Sequence, residues 1–105
     1  MAMQNPAPRR AVKLPVDMRF GRSDLLLSGT SRNMSVTGML VLSEDPKAPG
    51  TPLHFKFDEF EGWGEVVWER TAEEGGAFLG LRFTALSPKD RRALVRVLRD
   101  APPWM

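Results

Sequence analysis

Between residues 12 and 20 the side chains Val12, Leu14, Val16, Met18 and Phe20 alternate with Lys13, Pro15, Asp17 and Arg19. A period of two places the apolar set on one side of an extended chain, so this segment reads as a half-buried strand. Pro15 has no N–H to give a ladder and marks an edge or entry position. Comparable short apolar segments recur at residues 24–31, 38–42, 52–57, 63–70 and 77–83. Turn-forming clusters separate them: Gly21-Arg22-Ser23, residues 44–50, residues 58–62, and Glu73-Glu74-Gly75-Gly76. The polar run Arg32-Asn33-Met34-Ser35-Val36-Thr37 is expected to form a structured loop between the second and third strands. Six strands joined mostly by short turns favour a mainly β fold, a small antiparallel barrel whose closure removes unpaired edges.

The period changes after Leu86. Ser87, with Asp90 three residues on and Pro88 at the first helical position, forms a start resembling a capping box. Leu94, Val97, Leu98 and Ala101 follow at i, i+3, i+4 and i+7, while Arg92, Arg96 and Arg99 line another face. Pro102-Pro103 stop the helix, which is expected to plug or flank the barrel. The chain therefore divides into a flexible leader at 1–8, one domain at 9–101 and a tail at 102–105. Its 105 residues, 42% of them apolar, suit one modest core.

Several function classes are excluded or disfavoured. With no cysteine there is no disulfide or thiolate metal site, and one histidine, His54, cannot supply a histidine cluster. No apolar run is long enough to cross a bilayer, and a reducing, cytoplasmic setting without membrane insertion is expected. No nucleophile and base stand together, and no Gly-rich phosphate loop is present, so the chain reads as a non-enzyme without a cofactor. The carboxylates Asp58, Glu59 and Glu61 lack calcium-loop spacing and read as a solvated turn. Net charge is +2, unevenly spread: six Lys/Arg against two acids in residues 1–32, four against nine in 33–85, and five against two in 86–105. That is too weak for DNA or RNA binding through many phosphates, yet sufficient for a ligand with one or two.

Two features remain for such a ligand. Arg9, Arg10 and Lys13 stand where the leader meets the first strand, positioned to bring guanidinium groups onto phosphates. Asn33 and Ser35 add short hydrogen-bonding side chains, and Gly38 permits close backbone approach. Trp68 either fills the core or barrel rim or offers its face to a base, and Trp63 falls on the opposite strand face.

Asn33-Met34-Ser35-Val36-Thr37-Gly38 matches in full the [D/N]xSxxG motif of the PilZ family, and Arg9 to Lys13 matches its RxxxR motif in the first position only. Leu14-Pro15-Val16, then Gly64 to Arg70, Gly80-Leu81-Arg82-Phe83 and Leu86-Ser87, also resemble that family, covering about residues 9–100. The resemblance implies a six-stranded PilZ-type barrel with a C-terminal helix that binds cyclic di-GMP. In it the arginine motif clamps phosphates and guanine faces, and the loop motif hydrogen-bonds a guanine. Lysine brings one compact charge where arginine offers a planar fork, so Lys13 is expected to weaken a bidentate contact by roughly 1.5–3 kcal/mol. The resemblance further implies a receptor that relays the second messenger to a downstream protein by ordering its N-terminal segment. The alternative is a ligand-independent adaptor in motility, pilus or signalling machinery, with Arg92, Arg96 and Arg99, or Asp58, Glu59 and Glu61, as contact surfaces.

Overall fold

In the computed structural model, which describes residues 8–104, seven strands and one helix succeed one another. They are β1 (Arg10–Ala11), β2 (Pro15–Phe20), β3 (Leu27–Met34), β4 (Gly38–Ser43), β5 (Pro52–Lys56), β6 (Glu61–Thr71), β7 (Ala77–Ala85) and α1 (Pro88–Asp100). Every pairing is antiparallel. The order β3-β2-β5-β6-β7-β4, with β4 pairing back onto β3, closes a six-stranded barrel, and β1 lies against the far end of β3. The leader expected at residues 1–8 falls, apart from Pro8, outside the described residues.

Alternation sets the interior. Val16, Met18 and Phe20 of β2 and Leu53 and Phe55 of β5 are buried, and Phe55 packs edge-on to Phe57 and Phe60 at 6.0 and 6.1 Å. Met34, Met39, Leu81 and Val66 stand opposite one another across β3, β4, β7 and β6 and form one continuous buried row. The helix adds Ala93, Leu94 and Leu98 to this core, with Val97 and Ala101 half-buried beside them. It starts beside the β5–β6 turn, where the Glu61 amide donates to Asp90 Oδ1 at 3.2 Å, and ends at β1, so it covers one mouth of the barrel. Ser87 caps it by accepting from the Asp90 amide at 3.1 Å while its hydroxyl donates to Asp90 Oδ2 at 2.6 Å. That hydroxyl bond, with smaller help from the Glu61 amide and Lys89, outweighs desolvation and lowers the Asp90 pKa.

Two segments depart from the strand pattern expected of the sequence. The continuous strand at residues 12–20 is divided: residues 12–14 leave the ladder between β1 and β2. Pro15 cannot donate, and the register of β3 shifts between Ser31 and Asn33, so a regular ladder fails there. The fully buried Ser31 fills the gap. Its hydroxyl accepts from the Leu14 amide at 3.0 Å and donates to the Val12 carbonyl, while its own amide donates to the Leu14 carbonyl at 2.9 Å. The second departure is that the loop expected at residues 32–37 is mostly strand. β3 runs through Arg32, Asn33 and Met34, because pairing with β4 and β1 satisfies the backbone that polar side chains alone would not have kept extended. Only the turn Ser35-Val36-Thr37 remains, closed by the Ser35 amide donating to the Gly38 carbonyl at 2.9 Å.

Replacing the buried Ser31 with alanine leaves the half-buried Leu14 N–H without its partner, and should cost about 1–3 kcal/mol in chemical denaturation. Amide exchange at Leu14 should rise more than at Phe55; equal protection in both proteins would refute this role. Ser87→Ala should cost about 1 kcal/mol. Because the Asp90 pKa is depressed on folding, its contribution is present above the ordinary carboxylate value of about 3.9 and is lost as pH falls through the lowered value. Unfolding followed by circular dichroism at neutral pH and at pH about 2 should therefore show a smaller Ser87→Ala effect in acid.

Candidate functional site

Two bulges build the site. In β3, Ser31 faces Val41 while Asn33 faces Leu40, so the extra residue Arg32 turns Asn33 away from the interior. In β6, Val66 faces Leu81 while Trp68 faces Gly80, and the extra Val67 does the same to Trp68. Directly opposed residues in a ladder share a face. Asn33, Leu40, Gly80 and Trp68 therefore form one row across β3, β4, β7 and β6, on the outer face beside the buried row of Met34, Met39, Leu81 and Val66. Strict alternation would have put Trp68 inside with Val66; the core alternative is thereby removed, and the ring is 42% exposed. Gly80 makes its seat, since a Cβ at that position would occupy the space of the indole.

At the other end of the row, Arg9 Nη1 donates to Asn33 Oδ1 at 2.9 Å, with the Gly38 carbonyl 3.5 Å away. Partial burial lowers the Arg9 pKa from its ordinary value, but a guanidinium keeps its charge through the physiological range. The backbone of this segment is held from two sides. Arg10 and Ala11 pair with Met34 and Asn33 of β3. On the far side, the Ala11 amide donates to the Pro102 carbonyl at 2.8 Å and the Trp104 amide to the Arg9 carbonyl at 3.0 Å. Residues 102–104 thus run as an outer strap along the arginine segment, a contact with no signal in the sequence beyond the two prolines.

The expected site residues fall into two groups. Arg9, Asn33, Gly38 and Trp68 belong to the outer face and its margin. Ser35 is buried at the turn, where its hydroxyl accepts from the Thr37 amide at 3.1 Å and shares a hydrogen bond with Thr37 Oγ1 at 3.0 Å. It shapes the turn that carries Asn33 and Gly38. Gly38 is required there because a Cβ would collide with the Leu81 carbonyl as β4 approaches β7. Arg10 points the other way, donating to the Ala101 carbonyl at the end of α1 at 3.2 Å. Lys13 is exposed and borders a shallow groove with Glu59, Val97 and Asp100, and makes no side-chain hydrogen bond to Arg9, Asn33 or Ser35.

Two further arginines emerge on the outer face. Arg70 places its guanidinium 5.9 Å from the centre of the Trp68 ring, and Arg32, the bulge residue, lies 5.6 Å from the centre of Phe78. Thr30, Leu42, Phe78 and Arg70 form the row on one side and Gly38, Arg82 and Glu65 the row on the other, so Arg9, Arg32 and Arg70 share one half of the barrel surface with two aromatic rings and with Arg82, which is paired with Glu65. Arg32 and Arg70 sit in segments that sequence patterning treats as loop and plain strand, and only the bulges and the closed register bring them to this face. Elsewhere, the hairpin carboxylate Glu61 pairs with His54 Nε2 at 3.0 Å, and among the described residues no cluster of three acidic or histidine side chains could hold a metal ion. No helix among them is long and apolar enough to cross a membrane.

Comparison with curated proteins by sequence found no match. Among solved structures, the barrel is similar to the PilZ domain of YcgR from Escherichia coli, solved with c-di-GMP. That match has a TM-score of 0.74 at 16% identity and covers 94% of this chain and 92% of that one. It is also similar to the inhibitor of motility MotI/DgrA of Bacillus subtilis, with a TM-score of 0.75 and 16% identity, over 93% of this chain; the chain spans about half the length of that protein, 51%. The PilZ domain of CeSA from a cellulose-synthesizing bacterium superposes with a TM-score of 0.62 at 16% identity, over 87% of this chain and 94% of that one. At such identities the likeness concerns the fold. The model of the PilZ domain matches residues 5–100, which is nearly the whole chain, so this protein belongs to the PilZ domain family.

Proposed function

We propose that the chain is a cyclic di-GMP receptor and not an enzyme, with the ligand lying on the outer barrel face between Arg9 and Trp68. The observation that carries this reading is the row Asn33, Leu40, Gly80 and Trp68, with the Arg9 guanidinium bonded to Asn33 at one end and the open indole at the other. Each group suits one part of a cyclic dinucleotide. A guanidinium can fork onto a phosphate or onto the O6/N7 edge of guanine. The Asn33 amide can exchange hydrogen bonds with a guanine edge, and the indole of Trp68, seated over Gly80, offers its exposed face to a flat ring. Stacking a base on an aromatic ring contributes about 1–3 kcal/mol, and Arg70 adds positive charge at the same edge. The likeness to the YcgR domain solved with c-di-GMP supports the same ligand.

Relay follows from the Arg9-Arg10 pair. The two side chains leave the backbone on opposite sides, one to Asn33 and the other to the end of α1. A ligand that draws Arg9 away from Asn33 would reorder the N-terminal segment and shift Arg10 against the helix, where a partner protein can read the change. A second reading, a ligand-independent adaptor, is favoured by the ties that hold residues 9–11 in place through protein groups alone.

Calorimetric titration with cyclic di-GMP separates the two. The receptor reading expects saturable heat, abolished by Arg9→Ala and weakened by about one to two orders of magnitude in Trp68→Ala, where stacking is lost. Absence of heat and of amide shifts at high micromolar ligand would leave only the adaptor. Lys13→Arg is expected to tighten binding about tenfold if the segment swings Lys13 onto the ligand; unchanged affinity would confine the clamp to Arg9 and Arg10. Arg70→Ala should weaken binding several-fold and make its loss with salt shallower than in the parent.

A further inference from the structure

The outward face of α1 concentrates positive charge with nothing opposite it. Pro88, Arg91, Arg92, Val95, Arg96 and Arg99 follow one another at helical spacing and line a shallow groove. All four arginines are exposed, as is Lys89 beside them, and none of the ion pairs among the described residues involves them. Arg92 and Arg96 stand at i and i+4, an arrangement of like charges that weakens a helix by itself. The only carboxylates on the helix stand at its ends: Asp90 is engaged with Ser87 and the Glu61 amide, and Asp100 lies one turn beyond Arg96.

The charge surrounds an apolar strip. Val95 is 38% exposed, and the groove continues past Leu98 and Arg99 to Arg10 and to Val36, which is 43% exposed at the tip of the Ser35-Val36-Thr37 turn. Planar guanidinium groups fit carboxylates two bonds at a time, and a floor of two valines accepts a single apolar side chain. The apolar side chains lining the groove are two valines, Leu98 and two prolines, with no aromatic ring among them, which argues against a lipid surface. Nucleic acid would leave the valine strip facing phosphates.

We propose that this groove docks an acidic segment of a partner protein, in which Asp or Glu residues flank one apolar side chain. The surface goes beyond nucleotide recognition and stands without it: it lies across Arg10 from the Arg9 site, and the two are joined through that two-residue strand, the Val36 turn and the strap at residues 102–104.

The test uses the full chain without nucleotide and a fluorescein-labelled peptide in which Glu pairs flank a leucine. Amide shifts on titration should centre on α1, Arg10 and Val36. The double variant Arg92→Glu/Arg96→Glu should weaken binding by about tenfold or more, Val95→Ser by about twofold to threefold even in added salt, and Arg70→Ala should change nothing. All these side chains are exposed, so thermal melts should match the parent. The proposal is overturned by shifts scattered over both faces, by a Val95→Ser protein that binds as the parent does, or by phosphatidylglycerol vesicles or duplex DNA taking the same face at least tenfold more tightly than the peptide. Because nucleotide is absent, each of these outcomes leaves the Arg9 reading untouched, and failure of cyclic di-GMP titration leaves the groove untouched.

Discussion

Closure of the barrel through β3 is the constraint on which the other features rest. This strand gives one edge to β4 and divides the other between β2 and β1, with Ser31 bridging the interval to residues 12–14. Once the ring is closed, register is common to all six strands, and each side chain is either inside or outside. A strand cannot slip by one residue without exchanging its buried and exposed sets. The only way to redirect one stretch of a strand is to insert a residue.

Both insertions that matter do so on the same side of the barrel. Arg32 in β3 and Val67 in β6 stand two strands apart, with β4 and β7 between them, and each turns the following residue outward. The result is a buried polar group, Asn33, and a partly exposed flat one, Trp68, at opposite ends of a row in which the indole lies over Gly80. Bulges are tolerated where the neighbouring ladder continues, as it does between β7 and β4, whose pairing runs without a shift from Ala77 to Arg82. The arginine segment lies at the margin of this surface, tied to it by the Arg9–Asn33 hydrogen bond.

That segment is held by backbone contacts on both sides, β3 on one and residues 102–104 on the other, while its two arginines serve different neighbours. A short strand between the barrel and the C-terminal strap is mechanically suited to transmit displacement, since moving Arg9 moves Arg10 with it. The helix end that Arg10 caps belongs to the element that covers the barrel mouth and carries the unpaired arginines. The proposed nucleotide site and the proposed docking groove thus share one small piece of backbone.

Much of this was legible in the residues alone. The alternation at residues 12–20, the turn clusters and the Ser87-Pro88 start determined a small antiparallel barrel with a terminal helix, because period and turn chemistry are local properties. The sequence also named Asn33, Ser35, Gly38 and the arginine segment as a group, through the motif they resemble. What it could not determine was parity beyond a bulge: the residues left Trp68 open between core, rim and stacking platform and read 32–37 as a loop, and register that only the neighbouring strands impose turned Trp68 outward and drew residues 32–34 into β3. Nor could spacing show that adjacent arginines would part, that Lys13 would border the helix instead of Asn33, or that residues 102–104 would lie along residues 9–11. Those outcomes depend on hydrogen bonds between segments more than 90 residues apart, and no local pattern records which distant partner will satisfy a given N–H.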